Sequence, residues 1–315
     1  MPWLWADGFD ALLRRVPLRM YALLRVAAVR LRRGNPIRSG AVLVLKRVAR
    51  SHRHHLCERL AEIRPIDAPN LSFKAVDSMV MDAIYWLGIT GYEGRVSDVW
   101  VELCRGAQSI LEVGGNIGLF TILGATATSG RYTVVEPLPE VAGVLRANLS
   151  RNGLLGRVEL LEAAAIPESK ARDVLLNVPD EGRDAPVGAH LVEGVEVIGR
   201  SSLRHLKVPG IPIAGLASGR DVIKIDAEGI EAALLSAIRD VLIATRPALL
   251  IEVLPEAARL GELIADLARE ASYIIYIVPE YGSDVIVPVS PDNFTADLPR
   301  RYRSKDVVLS IREVV

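Results

Sequence analysis

Residues 109–120 read Ser109-Ile110-Leu111-Glu112-Val113-Gly114-Gly115-Asn116-Ile117-Gly118-Leu119-Phe120, and the fold is decided here. The apolar run Ile110–Val113 has the length and composition of a buried parallel strand, and the glycines after it let the backbone turn tightly into a helix beginning near Ile117. Such a turn presents the unpaired N–H groups of a helix start to a ligand, while Gly114 and Gly118 keep side chains out of its way. Glu112 and Asn116 add acceptors and donors. The spacing Glu-x-Gly-x-Asn-x-Gly puts Asn116 where a dinucleotide fingerprint has its second glycine. That glycine allows close approach to a pyrophosphate, so its replacement weakens a dinucleotide reading.

Working outward, strand and helix alternate. A helix over 117–128 is followed by a strand over Tyr132–Val135, a helix over Glu140–Asn152 and a strand over Val158–Leu161. Asp173–Val178 and Val192–Ile198 are strand-like pieces around the polar loop Pro179–Gly188, which predicts an insertion carrying a hairpin. Asp221–Asp226 and Ala248–Val253 are the fourth and fifth strands, with helices over Glu228–Ile243 and Glu256–Glu270. Then the helices stop, and Tyr273–Val278, Asp284–Val289 and Asp306–Ile311 read as strands. The pattern predicts an α/β fold: a doubly wound parallel sheet finished by an antiparallel edge strand. Ahead of it, Leu71–Val76 reads as a short strand, Asp77–Leu87 as a helix capped by Asp77 or Ser78, and Val96–Cys104 as the helix leading into the central strand.

At 315 residues the chain suits one large α/β domain plus an accessory segment, divided as 1–90, basic and mainly helical, and 91–315. Charge balances at 38 basic against 38 acidic residues, so the whole molecule has no bias toward nucleic acid. One region is biased. From Ala11 to Cys57 there is no acidic residue, while Arg14, Arg15, Arg19, Arg25, Arg30, Arg32, Arg33, Arg38, Lys46, Arg47, Arg50 and Arg53 are all present. On a helical wheel the arginines from Arg14 to Arg33 span an arc of about 160°, with Leu13, Met20, Leu23, Leu24, Ala27 and Leu31 opposite and Pro17 in the first turn. This predicts an amphipathic helix, either docked on the main domain with its basic face solvated, or lying on anionic lipid or accepting an anionic substrate. Gly34-Asn35-Pro36 reads as its end, and Val42–Val48 is too short to assign. His52, His54, His55 and Cys57 lack a completing ligand for a metal and read as structural or solvated. Cys57 and Cys104 make no disulfide framework and fit a reducing, cytoplasmic setting. Neither a secretory signal nor a membrane span is expected.

In an open parallel sheet, ligands bind beyond the carboxyl ends of the strands. Glu136 ends the second strand, where a carboxylate accepts both hydroxyls of a ribose, a group shared by several nucleoside cofactors. Glu162, Ala163 and Ala164 end the third strand, where an adenine would lie. Asp226 ends the fourth, with Glu228 and Glu231 in the turn after it, and Glu252 ends the fifth. Carboxylates at adjacent strand ends can position a hydroxyl, remove its proton or hold a divalent cation, and the residues alone leave these open. Glu231 reads as a helix-dipole partner, and Lys224 as a packing or carboxylate-pairing residue.

Glu112-Val113-Gly114-Gly115-Asn116-Ile117-Gly118, then Val135-Glu136-Pro137 and Asn148, then Lys224-Ile225-Asp226-Ala227-Glu228-Gly229-Ile230-Glu231 and Pro247-Ala248-Leu249-Leu250-Ile251-Glu252 together resemble the FkbM-type family of S-adenosylmethionine-dependent methyltransferases. The ordered set covers about Tyr92 to Val253, and Gly91-Tyr92-Glu93 looks like the element this family carries ahead of its first strand. The resemblance implies the class I, Rossmann-like methyltransferase fold and O-methylation of a hydroxyl on a sugar, glycolipid or polyketide-like acceptor. It implies S-adenosylmethionine contacts at Glu112, Gly114, Asn116, Gly118, Glu136, Ala163 and Ala164. Asp226 and Glu228 become candidates for base or metal ligand, and Tyr92 and Glu252 for acceptor binding. The family more often has Asp at the first acidic position and Ala at position 115. Two other readings stand beside it: an NAD-dependent oxidoreductase on a similar sheet, and a noncatalytic, membrane-associated protein retaining a nucleoside cleft.

Overall fold

The computed structural model describes residues 16–31, 35–52, 56–179, 185–186, 189–191, 203–254, 257–279 and 285–314. The chain forms two compact units that divide between Gly94 and Arg95, with Ala185 grouped with the first.

The first unit is mostly helical. A 3-10 turn over Leu18–Tyr21 runs into α1 (Ala22–Arg30), and α2 covers Pro36–Ser51. The residues read as a breaker start α2: the Asn35 carboxamide oxygen accepts from the Ile37 amide at 2.9 Å, and Pro36 occupies a first-turn position whose N–H would lack a helical partner anyway. Strands β1 (Glu62–Ile63) and β2 (Phe73–Lys74) pair antiparallel. Helix α3 (Met79–Leu87) is capped by Ser78, whose hydroxyl accepts from the Val80 amide at 3.2 Å. The core gathers Tyr21, Ala28, Leu45, Val48, Met81, Ile84 and Trp86, and His52 is buried against the Tyr21 and Trp86 rings.

This packing corrects the amphipathic wheel. Leu23 and Met20, assigned to the apolar face, are 84% and 67% exposed. Arg25, assigned to the basic face, is drawn in: its Nε donates to the Tyr85 carbonyl at 2.8 Å and its guanidinium lies 3.9 Å from the Tyr85 ring centroid. A stacked, hydrogen-bonded guanidinium tolerates burial, and a leucine has no such specific partner to draw it inward. Leu13, Arg14, Arg15, Arg32, Arg33, Arg53, His54 and His55 fall outside the described residues.

The second unit opens with α4 (Val96–Cys104) and then builds the sheet. Its strands are β3 (Ser109–Val113), β4 (Arg131–Val135), β5 (Val158–Leu161), β10 (Val222–Ile225), β11 (Ala248–Glu252), β12 (Ile274–Val278), β13 (Val287–Val289) and β14 (Asp306–Ser310), in spatial order β13-β12-β14-β11-β10-β3-β4-β5. The five from β5 to β11 are parallel. Helices α5 (Leu119–Ala127) and α6 (Pro139–Arg151) follow β3 and β4, α7 (Glu231–Ala237) and α8 (Arg239–Thr245) follow β10, and α9 (Ala258–Ala271) follows β11. This is a Rossmann-like, doubly wound α/β sheet.

Two details differ from expectation. The sheet ends, as expected, in an antiparallel edge strand, β13, but a second antiparallel strand is interior: β14 pairs with both β11 and β12. Helix α9 returns the chain to β12, two positions from β11, and Val307-Val308-Leu309 of β14, fully buried, fills the slot between them. The insertion is a four-stranded sheet in the order β6-β9-β7-β8, where β6 is Ala164–Ile166, β7 Arg172–Pro179, β8 His190–Leu191 and β9 Leu203–Pro212. The partner of β7 along its whole length is β9, a strand the sequence reading did not identify. Val192–Ile198 lies outside the described residues. No described helix is long and apolar enough to cross a membrane.

Candidate active site

The site at the carboxyl ends of β3, β4, β10 and β11 is built first from a turn. Gly114 leaves β3 with φ +86°, a conformation that costs a residue with a side chain, and its amide donates to the Val135 carbonyl at 3.0 Å. A Cβ on Gly114 would stand 1.9 Å from the carbonyl oxygen of Asp226, so the turn after β3 and the turn after β10 touch backbone to backbone. Asn116 is left-handed at φ +47°, its side-chain oxygen accepting from the Ile117 amide at 2.7 Å. Gly118, at φ +90°, starts α5. Asn148 of α6 braces the turn by donating to the Ile117 carbonyl at 2.8 Å.

Glu136 sits beyond β4 and is 5% exposed. Its two oxygens accept from the amides of Asn116 at 2.8 Å and Leu138 at 3.0 Å. Burial pushes its carboxyl up to about 7, against those two hydrogen bonds. Glu112, one strand inward, is fully buried and accepts from the Tyr132 hydroxyl at 2.5 Å. Burial raises it to about 7 as well, and Lys224 works in the other direction. Ala163 and Ala164 are buried at the end of β5, while Glu162 is turned outward to pair with Arg146.

Across the turn, the register that pairs Ile225 with Ile251 sets Asp226 beside Glu252. Lys224, 2% exposed, donates to Asp226 Oδ2 at 2.7 Å and stands 4.9 Å from the Phe120 ring centroid. Burial alone would raise the Asp226 carboxyl, but the ammonium groups of Lys224 and Lys305 outweigh it and hold it below the usual carboxylate value. Glu252 goes the other way: burial first, then the neighbouring Asp226, pushes it up to about 8, although Lys305 pairs with its Oε1. The two neighbouring carboxyls are therefore pushed in opposite directions, Asp226 toward its ionised form and Glu252 toward its protonated one. Glu228 is half-buried at φ +52° and adds negative potential at Glu252.

Three supporting residues extend the sequence reading. Glu231, expected as a dipole partner, is 3% exposed, and its carboxylate gathers the amides of Ala227 at 2.9 Å and Gly229 at 3.0 Å, which fixes the loop carrying Glu228. Glutamate within the first turn is the usual signal of such a reach back to preceding amides. Tyr132 and Lys305 carried no local signal, because their roles depend on strand neighbours far away in the chain. Tyr92 belongs to the first unit, half-buried after a 3-10 turn over Ile89–Gly91. Among the described residues no group of His, Cys, Asp and Glu has the geometry to hold a metal ion. A cleft of about 370 Å³ opens at the opposite end of the strands, by their starts, lined by Ser109, Arg131, Glu159 and Arg220 and away from these carboxylates.

Neither a protein-family model nor a curated protein sequence matches the chain. Solved structures that resemble it include the methyltransferase FkbM from Methylobacillus flagellatus KT, at 16% identity and a TM-score of 0.39, covering 64% of this chain and 43% of that one. An O-methyltransferase from Bacillus cereus in complex with SAH matches at 14% identity and a TM-score of 0.36, covering 68% and 78% of the two chains. A SAM-dependent O-methyltransferase from Thermotoga maritima matches at 14% identity and a TM-score of 0.37, covering 70% and 66%. The chain thus spans less than half of the first of these proteins.

Proposed function

We propose that the protein is an S-adenosylmethionine-dependent methyltransferase that methylates a hydroxyl of a sugar, glycolipid or polyketide-like acceptor. The observation that carries this reading is the backbone contact between Gly114 and Asp226. A nucleoside seated over the glycine turn, with its ribose at Glu136, has its reacting end next to an ionised carboxylate. The residues suit such a cofactor: Glu136 keeps acceptor capacity beyond its two backbone bonds, and the alanines Ala163 and Ala164 beside it are buried. The side chain of Asn116 occupies the turn where a dinucleotide needs open backbone, which disfavours the oxidoreductase alternative.

The bound cofactor would supply a sulfonium methyl that is already activated. The chain's task is alignment, exclusion of water and removal of one proton. The acceptor oxygen would take the methyl from the sulfonium, which leaves as a neutral thioether; the hydroxyl proton would pass to Asp226, or to Glu228 on the same loop, with Lys224 holding Asp226 in its ionised form. Protonated Glu252 offers a donor for a second acceptor oxygen.

The reading is tested by incubating the protein with methyl-labelled cofactor and carbohydrate or lipid extracts. Label is expected in a product that survives mild alkali, as a methyl ether does. Alkali-labile label would place the methyl on a carboxylate, and absence of transfer together with absence of cofactor binding would end the proposal.

A further inference from the structure

Thirteen large apolar side chains are exposed among the described residues, and six of them fall between Met20 and Val44: Met20, Leu23, Val26, Ile37, Leu43 and Val44. Scattered exposed apolar residues are ordinary, whereas a concentration of this kind marks an interaction surface. They occupy the outward faces of α1 and its leading turn and of α2, elements that pack on each other within the first unit. Along α1, Leu23 and Val26 share the outward arc with the exposed Arg19 and Arg30; along α2, Leu43 and Val44 flank the exposed Lys46. The core residues Tyr21, Ala28, Leu45 and Val48 point the other way, so nothing in the unit's own packing accounts for the apolar residues outside.

We propose that these outward faces of α1 and α2 form a docking surface that lies on an anionic lipid bilayer. Two observations select this partner. The segment from Ala11 to Cys57 has twelve basic residues and no acidic one, and Arg19, Arg30 and Lys46 are exposed on these faces, which complements a negative surface. Apolar and basic side chains are also interleaved on one face, the arrangement that lets apolar groups enter the acyl boundary while long cationic side chains reach back to the headgroups. Neither helix is long and apolar enough to span, so the contact is interfacial.

The test is co-sedimentation of the full chain with vesicles of phosphatidylcholine alone or of an equimolar mixture with phosphatidylglycerol. Binding is expected on the mixed vesicles only, weakening as salt is raised. Leu23→Glu with Leu43→Glu, at positions 84% and 72% exposed where folding does not depend on the side chain, is expected to lower partitioning by about tenfold or more. Arg19→Gln and Arg30→Gln are each expected to lower it by about fivefold. Leu155→Glu, at an exposed apolar site of the second unit, is expected to change nothing. Equal binding to neutral vesicles, or full binding by the Leu23/Leu43 variant, overturns the proposal. So does a concentration-dependent dimer in light scattering that the same variant abolishes, because a second copy of the chain would then be what covers the face.

Discussion

The two sides of the candidate site are built from different materials. Around Glu136, geometry is set by backbone: amides of Asn116 and Leu138 hold the carboxylate, and a left-handed glycine and asparagine shape the turn. Around Asp226, the state of the site is set by side-chain charge, with Lys224 and Lys305 favouring the ionised form of Asp226 while burial and Asp226 favour the protonated form of Glu252. Backbone amides cannot titrate, so the first side is suited to holding a ligand in one place. Opposed side-chain charges create a proton acceptor at neutral pH, so the second is suited to chemistry.

Substitutions should separate these roles. The largest effect is expected for Asp226→Asn, which keeps the shape and removes the acceptor: methyl transfer should fall about a thousandfold while binding of S-adenosylhomocysteine changes less than about threefold. Loss of both together would place Asp226 on the binding side and dissolve the contrast. Gly114→Ala should come next, costing about 3 kcal/mol in denaturant unfolding, because the new methyl meets the Asp226 carbonyl in a backbone conformation alanine resists. Near-wild-type stability would show that the two turns do not abut. Glu136→Ala should weaken S-adenosylhomocysteine about a hundredfold in calorimetry through loss of charge-assisted hydrogen bonds, with the fold intact by circular dichroism.

The smallest effect concerns pH. The folded-state value of Glu112, about 7, lies above its ordinary 4.5, so the folded form binds this proton more tightly. Its contribution to stability is complete below the lower value and is lost as pH rises through the upper one, at up to roughly 1.4 kcal/mol per unit of pH. Glu112→Gln should flatten the stability profile across that window. An unaltered profile would mean that Glu112 ionises freely beside Tyr132.

The four strand-helix steps were legible because β3, β4, β10 and β11 are short apolar runs buried on both faces, and Gly114 and Gly118 mark the turn by residue type alone. Strand β9 was not, since Arg204, His205 and Lys207 are exposed along it and Pro209, Gly210 and Pro212 read as loop; only its pairing with β7 makes it a strand. Helix α2 hid behind Pro36, which starts a helix as readily as it ends one. On α1 the wheel ranked residues by polarity, but Arg25 found a carbonyl and a ring to lie against while Leu23 stayed outside. In the site, the strand-end carboxylates were visible from spacing. Which of them is ionised was not, because Lys305 reaches Glu252 from 53 residues away.

Titration calorimetry of the full-length protein with S-adenosylhomocysteine and, separately, with NADH bears most directly on what the crevice is built to hold. The account predicts one S-adenosylhomocysteine bound per chain, weakened by Glu136→Ala and untouched by Asp226→Asn, and no heat with NADH. Binding of NADH with none of S-adenosylhomocysteine would contradict it.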